Sequence, residues 1–185
     1  MLTALYPLLL LVHVFAALAF FAMEGALFFA VREARATRTP ELLRAALTRF
    51  QTLGRYIGPI PPLLLISGLA LCAVAWGFRT PWVNLSLVGF ALCAALARGY
   101  EVPRYMNAGR LLDSGASFEL VRAGLNDPRL RLAAHLRYTL MLWLVLLMTI
   151  KPALTVAVLA LAASLGVALL LAALRSGPRG VTRPA

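Results

Sequence analysis

Acidic residues are scarce: seven Asp and Glu stand against eighteen Lys and Arg in 185 residues, and only 14% of the chain is charged. A water-soluble domain is about a quarter charged and nearer half apolar. Here 62% is hydrophobic and the mean hydropathy is +0.85, which excludes an ordinary soluble enzyme. Histidine and cysteine number two each. No CxxC, HxxxH or CxxCH spacing occurs, leaving no support for a zinc site or a covalently attached haem. A Ser–His–Asp set, a phosphate-binding loop and a dinucleotide fingerprint are also missing. No Lys or Arg precedes Arg32, so the first apolar block lacks the basic start of a secretory signal. At about 27 residues it also exceeds a cleaved hydrophobic region and reads as a retained span.

What the chain has is long apolar blocks. A helix rises about 1.5 Å per residue, so about 20 apolar residues cross about 30 Å of hydrocarbon. The blocks predict an all-α, polytopic transmembrane helix bundle with five spans, near residues 5–31, 61–78, 81–98, 136–151 and 153–174. They form a single domain, 1–175, with a disordered basic tail at 176–185 and neither an internal repeat nor a soluble second domain. Arginines crowd residues 32–55, residues 98–137 and the tail, while the two tight connections hold only Arg79 and Lys151. Sixteen of the eighteen cations therefore fall on one side. The positive-inside rule puts the N-terminus outside, the C-terminus in the cytoplasm and segments 32–56 and 99–135 on the cytoplasmic face of a bacterial inner membrane. The basicity is topological, so the expected partner is the lipid bilayer and not nucleic acid.

Local signals refine this picture. Thr39-Pro40-Glu41 reads as an N-cap, a first-turn proline and a first-turn acid. Leu43, Leu47, Phe50 and Leu53 then recur at helical spacing opposite Arg44, Arg49 and Gln51. That pattern suits an amphipathic helix on the inner membrane face or a cytoplasmic extension of span two. Gly58-Pro59-Ile60-Pro61-Pro62 breaks any continuous helix, so span two starts near Pro61. Trp76 and Trp82 flank the outer turn as an interfacial pair. Ser117 caps a short helix ending at Gly124, and Asp127-Pro128 caps one that feeds into span four. Cys72 and Cys93 lie at different depths and read as buried free thiols, since a disulfide needs Cα atoms within about 7 Å. Ala160, Ala162, Ala163, Ser164, Gly166 and Ala168 give span five a small-residue face, suited to close packing within the bundle, against a second copy or against a membrane-protein partner.

Few ionisable groups lie within the spans, and such groups are functional candidates by default. His13 and Glu24 are eleven residues apart in span one, nearly three full turns, so they share a face that must point into the bundle. His13 is either an axial haem or metal ligand or a hydrogen-bonded packing residue. Glu24 is either a proton-binding group or one half of an ion pair, with His135, Arg137, Arg55 and Arg98 at a suitable depth. Met141 falls at about the level of His13, so a His–Met ligand pair is one option. The stripe Met141, Trp143 and Met148 reads as packing.

His13-Val14 with Ala16 and Ala17, Gly25, the arginine-rich segment after it, Ile66-Ser67-Gly68, the tryptophan opening span three and Met148-Thr149-Ile150-Lys151-Pro152 together resemble a known pattern. Residues 5–153 look like the bacterial predicted integral membrane protein family, a domain of unknown function. That family is distantly similar to the copper-resistance D-type and HemJ-type four-helix membrane domains. The resemblance implies a haem b associated with His13 and redox-linked chemistry. The HemJ-type intramembrane lysine has no counterpart here, where span three offers Asn84. Three functions stand as expectations: a haem-b-associated or redox-linked membrane protein, a small permease-like carrier of a metal or small solute working through Glu24, and a non-catalytic membrane subunit or assembly factor.

Overall fold

The computed structural model describes residues 2–175; the tail predicted to be disordered lies outside the described residues. After a short 3₁₀ turn at Leu2–Leu5, the chain forms α1 (Tyr6–Ala36), α2 (Pro40–Ile57), α3 (Ile60–Leu71), α4 (Pro81–Ala94), α5 (Val102–Asp113), α6 (Phe118–Leu125), α7 (Pro128–Ile150) and α8 (Leu154–Arg175). Among the described residues there is no strand, and the chain is an all-α bundle. Among the described residues four helical rods are long and apolar enough to cross a membrane: Tyr6–Ala36, Pro40–Trp76, Pro81–Asp113 and Phe118–Ile150. The fifth predicted span is α8, Leu154–Arg175. Leu11, Phe15, Ile66, Val88, Leu142 and Leu159 are exposed along the rods. Such an apolar surface suits contact with acyl chains rather than water, and the chain is a multi-pass membrane protein.

Proline sets many of the helix starts. α1, α2, α4 and α7 each carry it in the first turn, where the missing N–H has no intrahelical partner to lose. Thr39 caps α2 by accepting from Leu42 N, and Asp127 caps α7 by accepting from Arg129 N at 2.8 Å. Ser117 precedes α6 without a side-chain cap bond, and α6 runs to Leu125.

Several expectations need correction. The helix of span one does not stop at residue 31; α1 continues to Ala36, with Ala30 and Ala34 buried. The Gly58-Pro59 step does not redirect the chain either. Both residues keep right-handed helical dihedrals, so α2 and α3, which starts at Ile60, form one interrupted rod, Pro40–Trp76. The apolar face of α2 therefore does not lie on a membrane surface. Leu43, Ala46, Leu47 and Phe50 bury against α1, α5 and α6.

This arginine-rich end holds the larger buried core, running from Leu27 on α1 through Tyr105 and Leu112 to Leu125 and Leu130. Arg35 ties it together, donating to the Leu125 carbonyl at 3.0 Å and to Tyr105 Oη at 2.7 Å. In the apolar belt the main helix pairings are α1 with α3, α4 with α7, and α7 with α8. Cys93, Leu140, Met141, Trp143, Leu147 and Ala157 form the belt core, against which Phe20 and Phe21 pack. Trp143 Nε1 donates to the Ala157 carbonyl at 2.9 Å and seats α8 on α7. The small-residue face of α8 divides accordingly: Ala160 and Ser164 turn inward, while Ala162, Ala163 and Gly166 are exposed. At the opposite end the two tryptophans meet as expected, edge to face at 5.2 Å, with Lys151 Nζ 5.1 and 5.4 Å from their rings. Cys72 and Cys93 are free and buried in different clusters.

Candidate functional site

The rod from α4 to α5 contains one wide, π-helical turn at Ala95–Glu101, immediately before Val102-Pro103. Pro103 has no N–H and its ring would crowd the carbonyl four residues back. The wide turn relieves both problems and shifts the register of α5 relative to α4. Such turns occur frequently at functional sites, and this one ends on Glu101, which is only 4% exposed.

Glu101 meets Glu24 from α1 and Arg137 from α7, each 7% exposed, between the belt core and the arginine-rich core. Arg137 Nη1 donates to Glu24 Oε2 at 2.6 Å. Its Nε and Nη2 donate to Glu101 Oε1 and Oε2 at 2.7 and 3.4 Å. This is the forked geometry in which a planar guanidinium holds a carboxylate by two N–H groups. Arg137 Nη1 also lies 3.5 Å from Met141 Sδ, and the guanidinium carbon stands 4.5 Å from the Tyr138 ring centroid. Cys93 Sγ donates to the Arg137 carbonyl at 3.8 Å. Among the described residues no buried side-chain nitrogen or oxygen lacks a partner. With all three groups ionised the cluster carries one net negative charge. Removing charges from water costs several kcal/mol per ion, roughly, and is recovered only by such close, fully bonded geometry.

Two cavities meet at this cluster. The larger, about 960 Å³, runs between α1 and α7 from Phe21 and Leu142 to Arg32, Arg35 and Arg131. The second, about 640 Å³, is bordered by Gln51, Arg55, Arg98 and Leu144. Glu24, Ala97, Arg137 and Met141 line both.

The structure separates the predicted site residues. Glu24 has the paired arrangement, and of the four cations at its depth Arg137 is the partner. Arg55 and Arg98 border the second cavity, and His135 borders the first while its Nδ1 lies 2.6 Å from the Arg131 carbonyl. His13 shares the face of α1 that bears Glu24 but meets α3 instead of α7. Its Nδ1 lies 3.1 Å from Ser67 Oγ and 3.2 Å from the Leu64 carbonyl. Gly68 makes room for the ring, since a Cβ there would stand 3.1 Å from His13 Cε1.

Met141 is not brought to His13. It sits beside Arg137 and hence at the level of Glu24, about 16 Å along α1 from His13 by helical rise. His13 and Met141 thus do not fit as two axial ligands of one haem, which must flank the iron closely. The Ser67–Gly68 side of His13 is a helix–helix contact with no width for a porphyrin. Sequence reasoning missed Glu101, three residues beyond the expected end of span three. The signal was its place directly before Val102-Pro103 on a helix that does not stop at Arg98. No family model, curated protein or solved structure matches this chain.

Proposed function

We propose that the chain is a small permease-like membrane carrier whose ligand site is built on Glu24, Glu101 and Arg137. The observation that carries this reading is the single buried arginine bridging carboxylates from two rods where two cavities meet. A bundle of this size needs no buried charge for stability, because apolar side chains of like volume often serve as well or better. Charges retained inside a membrane bundle mark ligand or proton sites. Carriers place such sites between helix groups that move relative to one another. Here α1 packs along α3 while α4 packs along α7, and the Glu24–Arg137 bond crosses from one pair to the other. In this reading the chain lies in a bacterial inner membrane with its tryptophan end outward, supported by the sixteen-to-two division of cations. Kinship with the predicted integral membrane protein family belongs to the same proposal and rests on the motifs around His13 and Met148–Pro152.

The test uses Ala97, which lines both cavities. Ala97→Cys in a Cys72→Ala/Cys93→Ala background is treated with a membrane-impermeant thiol reagent in right-side-out and inside-out vesicles. Labelling from both sides is the expected result for alternating access. Labelling from one side only overturns carriage and leaves a non-catalytic subunit as the better description.

A further inference from the structure

The larger cavity is graded along its length. At the arginine-rich end it is bordered by Arg32 and Arg35 on α1 and by Arg131 on α7; at the other end by Phe21, Phe28 and Leu142. Arg35 is committed to Tyr105 and the Leu125 carbonyl. Arg32 and Arg131 are exposed and take part in none of the ion pairs among the described residues, which use Arg44, Arg49 and Arg137. Two cations without acidic partners therefore flank the polar end from two different helices.

The apolar end opens sideways. Phe28 and Leu142 line the cavity yet are 42% and 70% exposed, and Leu18, Phe29 and Val145 on the same two helices are exposed apolar residues too. A Cβ at Gly25, between Phe21 and Phe28, would meet nothing within 4 Å, so the wall of α1 stands clear of its neighbours there. Between the two ends the cluster of two carboxylates and one guanidinium carries net negative charge when ionised. An anion is thus attracted to Arg32 and Arg131 and turned back from going deeper.

We infer that this cavity is a cleft for a bilayer lipid with an anionic phosphate head, the head between Arg32 and Arg131 and an acyl chain along Phe28 and Leu142. Basic pockets between membrane helices recognise acidic headgroups in this way, by charge at the interface and apolar contact below it. A lipid enters through the lateral opening without leaving the bilayer, whereas a water-soluble anion has no use for an apolar wall. Since the lipid would occupy the cavity that ends on the cluster proposed above as the carrier's site, the inference rests on the carrier reading for its consequence, but its test does not.

The full chain in detergent is titrated with phosphatidylglycerol, phosphatidylcholine or glycerol phosphate, and bound ligand is counted by native mass spectrometry. Phosphatidylglycerol is expected to be retained at about tenfold lower concentration than phosphatidylcholine, the scale of 1.4 kcal/mol. Glycerol phosphate, which has the head without the chain, is expected not to be retained. Arg32→Gln/Arg131→Gln should bring phosphatidylglycerol down to the phosphatidylcholine level. Arg38→Gln/Arg110→Gln removes the same charge from residues outside both cavities and should leave the preference intact. Equal retention of the two lipids, equal loss in both double variants, or glycerol phosphate binding as tightly as the lipid overturns the inference. Lipid selectivity with one-sided labelling of Ala97→Cys refutes carriage alone, and two-sided labelling without selectivity refutes the lipid alone.

Discussion

Replacing Arg137 by methionine removes the guanidinium while keeping an unbranched apolar chain in its place. The side chains of Glu24 and Glu101 are 9% and 5% exposed, and each loses its only ion-pair partner among the described residues. Breaking a buried ion pair from one side costs about 3–5 kcal/mol, because the remaining charge stays buried without compensation. In a chain of this size 1 kcal/mol moves the melting temperature by about 2–4 °C, so Arg137→Met should melt about 10 °C below the wild type in detergent. Glu101→Gln should be the milder loss, since Arg137 keeps Glu24. Glu24→Gln should be milder still, because the two-bond contact with Glu101 survives. The triple variant Glu24→Gln/Glu101→Gln/Arg137→Met removes every charge together and should recover most of the stability. The assay is a thermal melt followed by intrinsic fluorescence. A single Arg137→Met variant melting within about 2 °C of wild type would refute the reasoning. A triple variant as unstable as the single one would refute it too, by making the charges themselves the source of stability.

Packing sets two further outcomes. Gly89→Ala places a methyl 3.0 Å from both Leu144 Cδ2 and Trp143 Cζ3, so it should wedge α4 from α7 and cost about 1–3 kcal/mol. Gly25→Ala meets open space and should be neutral or stabilising by up to about 1 kcal/mol through helix propensity, and equal melting shifts for the two would contradict the contact. His13→Ala loses an interhelical hydrogen bond, worth about 0.6 kcal/mol in a membrane bundle. Oxidised and dithionite-reduced spectra of the wild type and this variant, after expression with ample haem, should both be featureless, and a Soret band present in the wild type and lost in the variant would overturn the packing role given to His13.

The membrane class of the chain was legible because bilayer thickness imposes a length on every span, and nothing in the sequence obscures blocks of that length. Caps at Thr39 and Asp127 were legible because they depend on residues within one turn of the helix start. The run through Gly58-Pro59-Ile60-Pro61-Pro62 misled for the same local reason. Proline removes hydrogen bonds, but it does not by itself leave the right-handed region, and the buried face of α2 held the two halves of the rod in line. Where each apolar face turns is a tertiary matter, as α8 illustrates by packing Ala160 against the core that α7 contributes to and leaving Ala162 and Gly166 outside.

The candidate site divides in the same way. Composition and periodicity were enough to set Glu24 on an inward face and to leave it two roles, a proton-binding group or one half of an ion pair, because a carboxylate in hydrocarbon is costly to keep charged and unpaired. Choosing Arg137 over Arg55, Arg98 and His135 required the packing of α1 against its neighbours, since helical rise fixes depth but not azimuth. Adding Glu101 required the wide turn at Ala95–Glu101, a departure from regular helical register that no periodic pattern encodes. The sequence by itself determined a bundle of apolar helices with its cations at one end, because those features arise from solvent and charge acting on each segment separately. Only the tertiary structure decided that three ionisable groups from three helices form one cluster between two cavities, because that depends on how the rods cross.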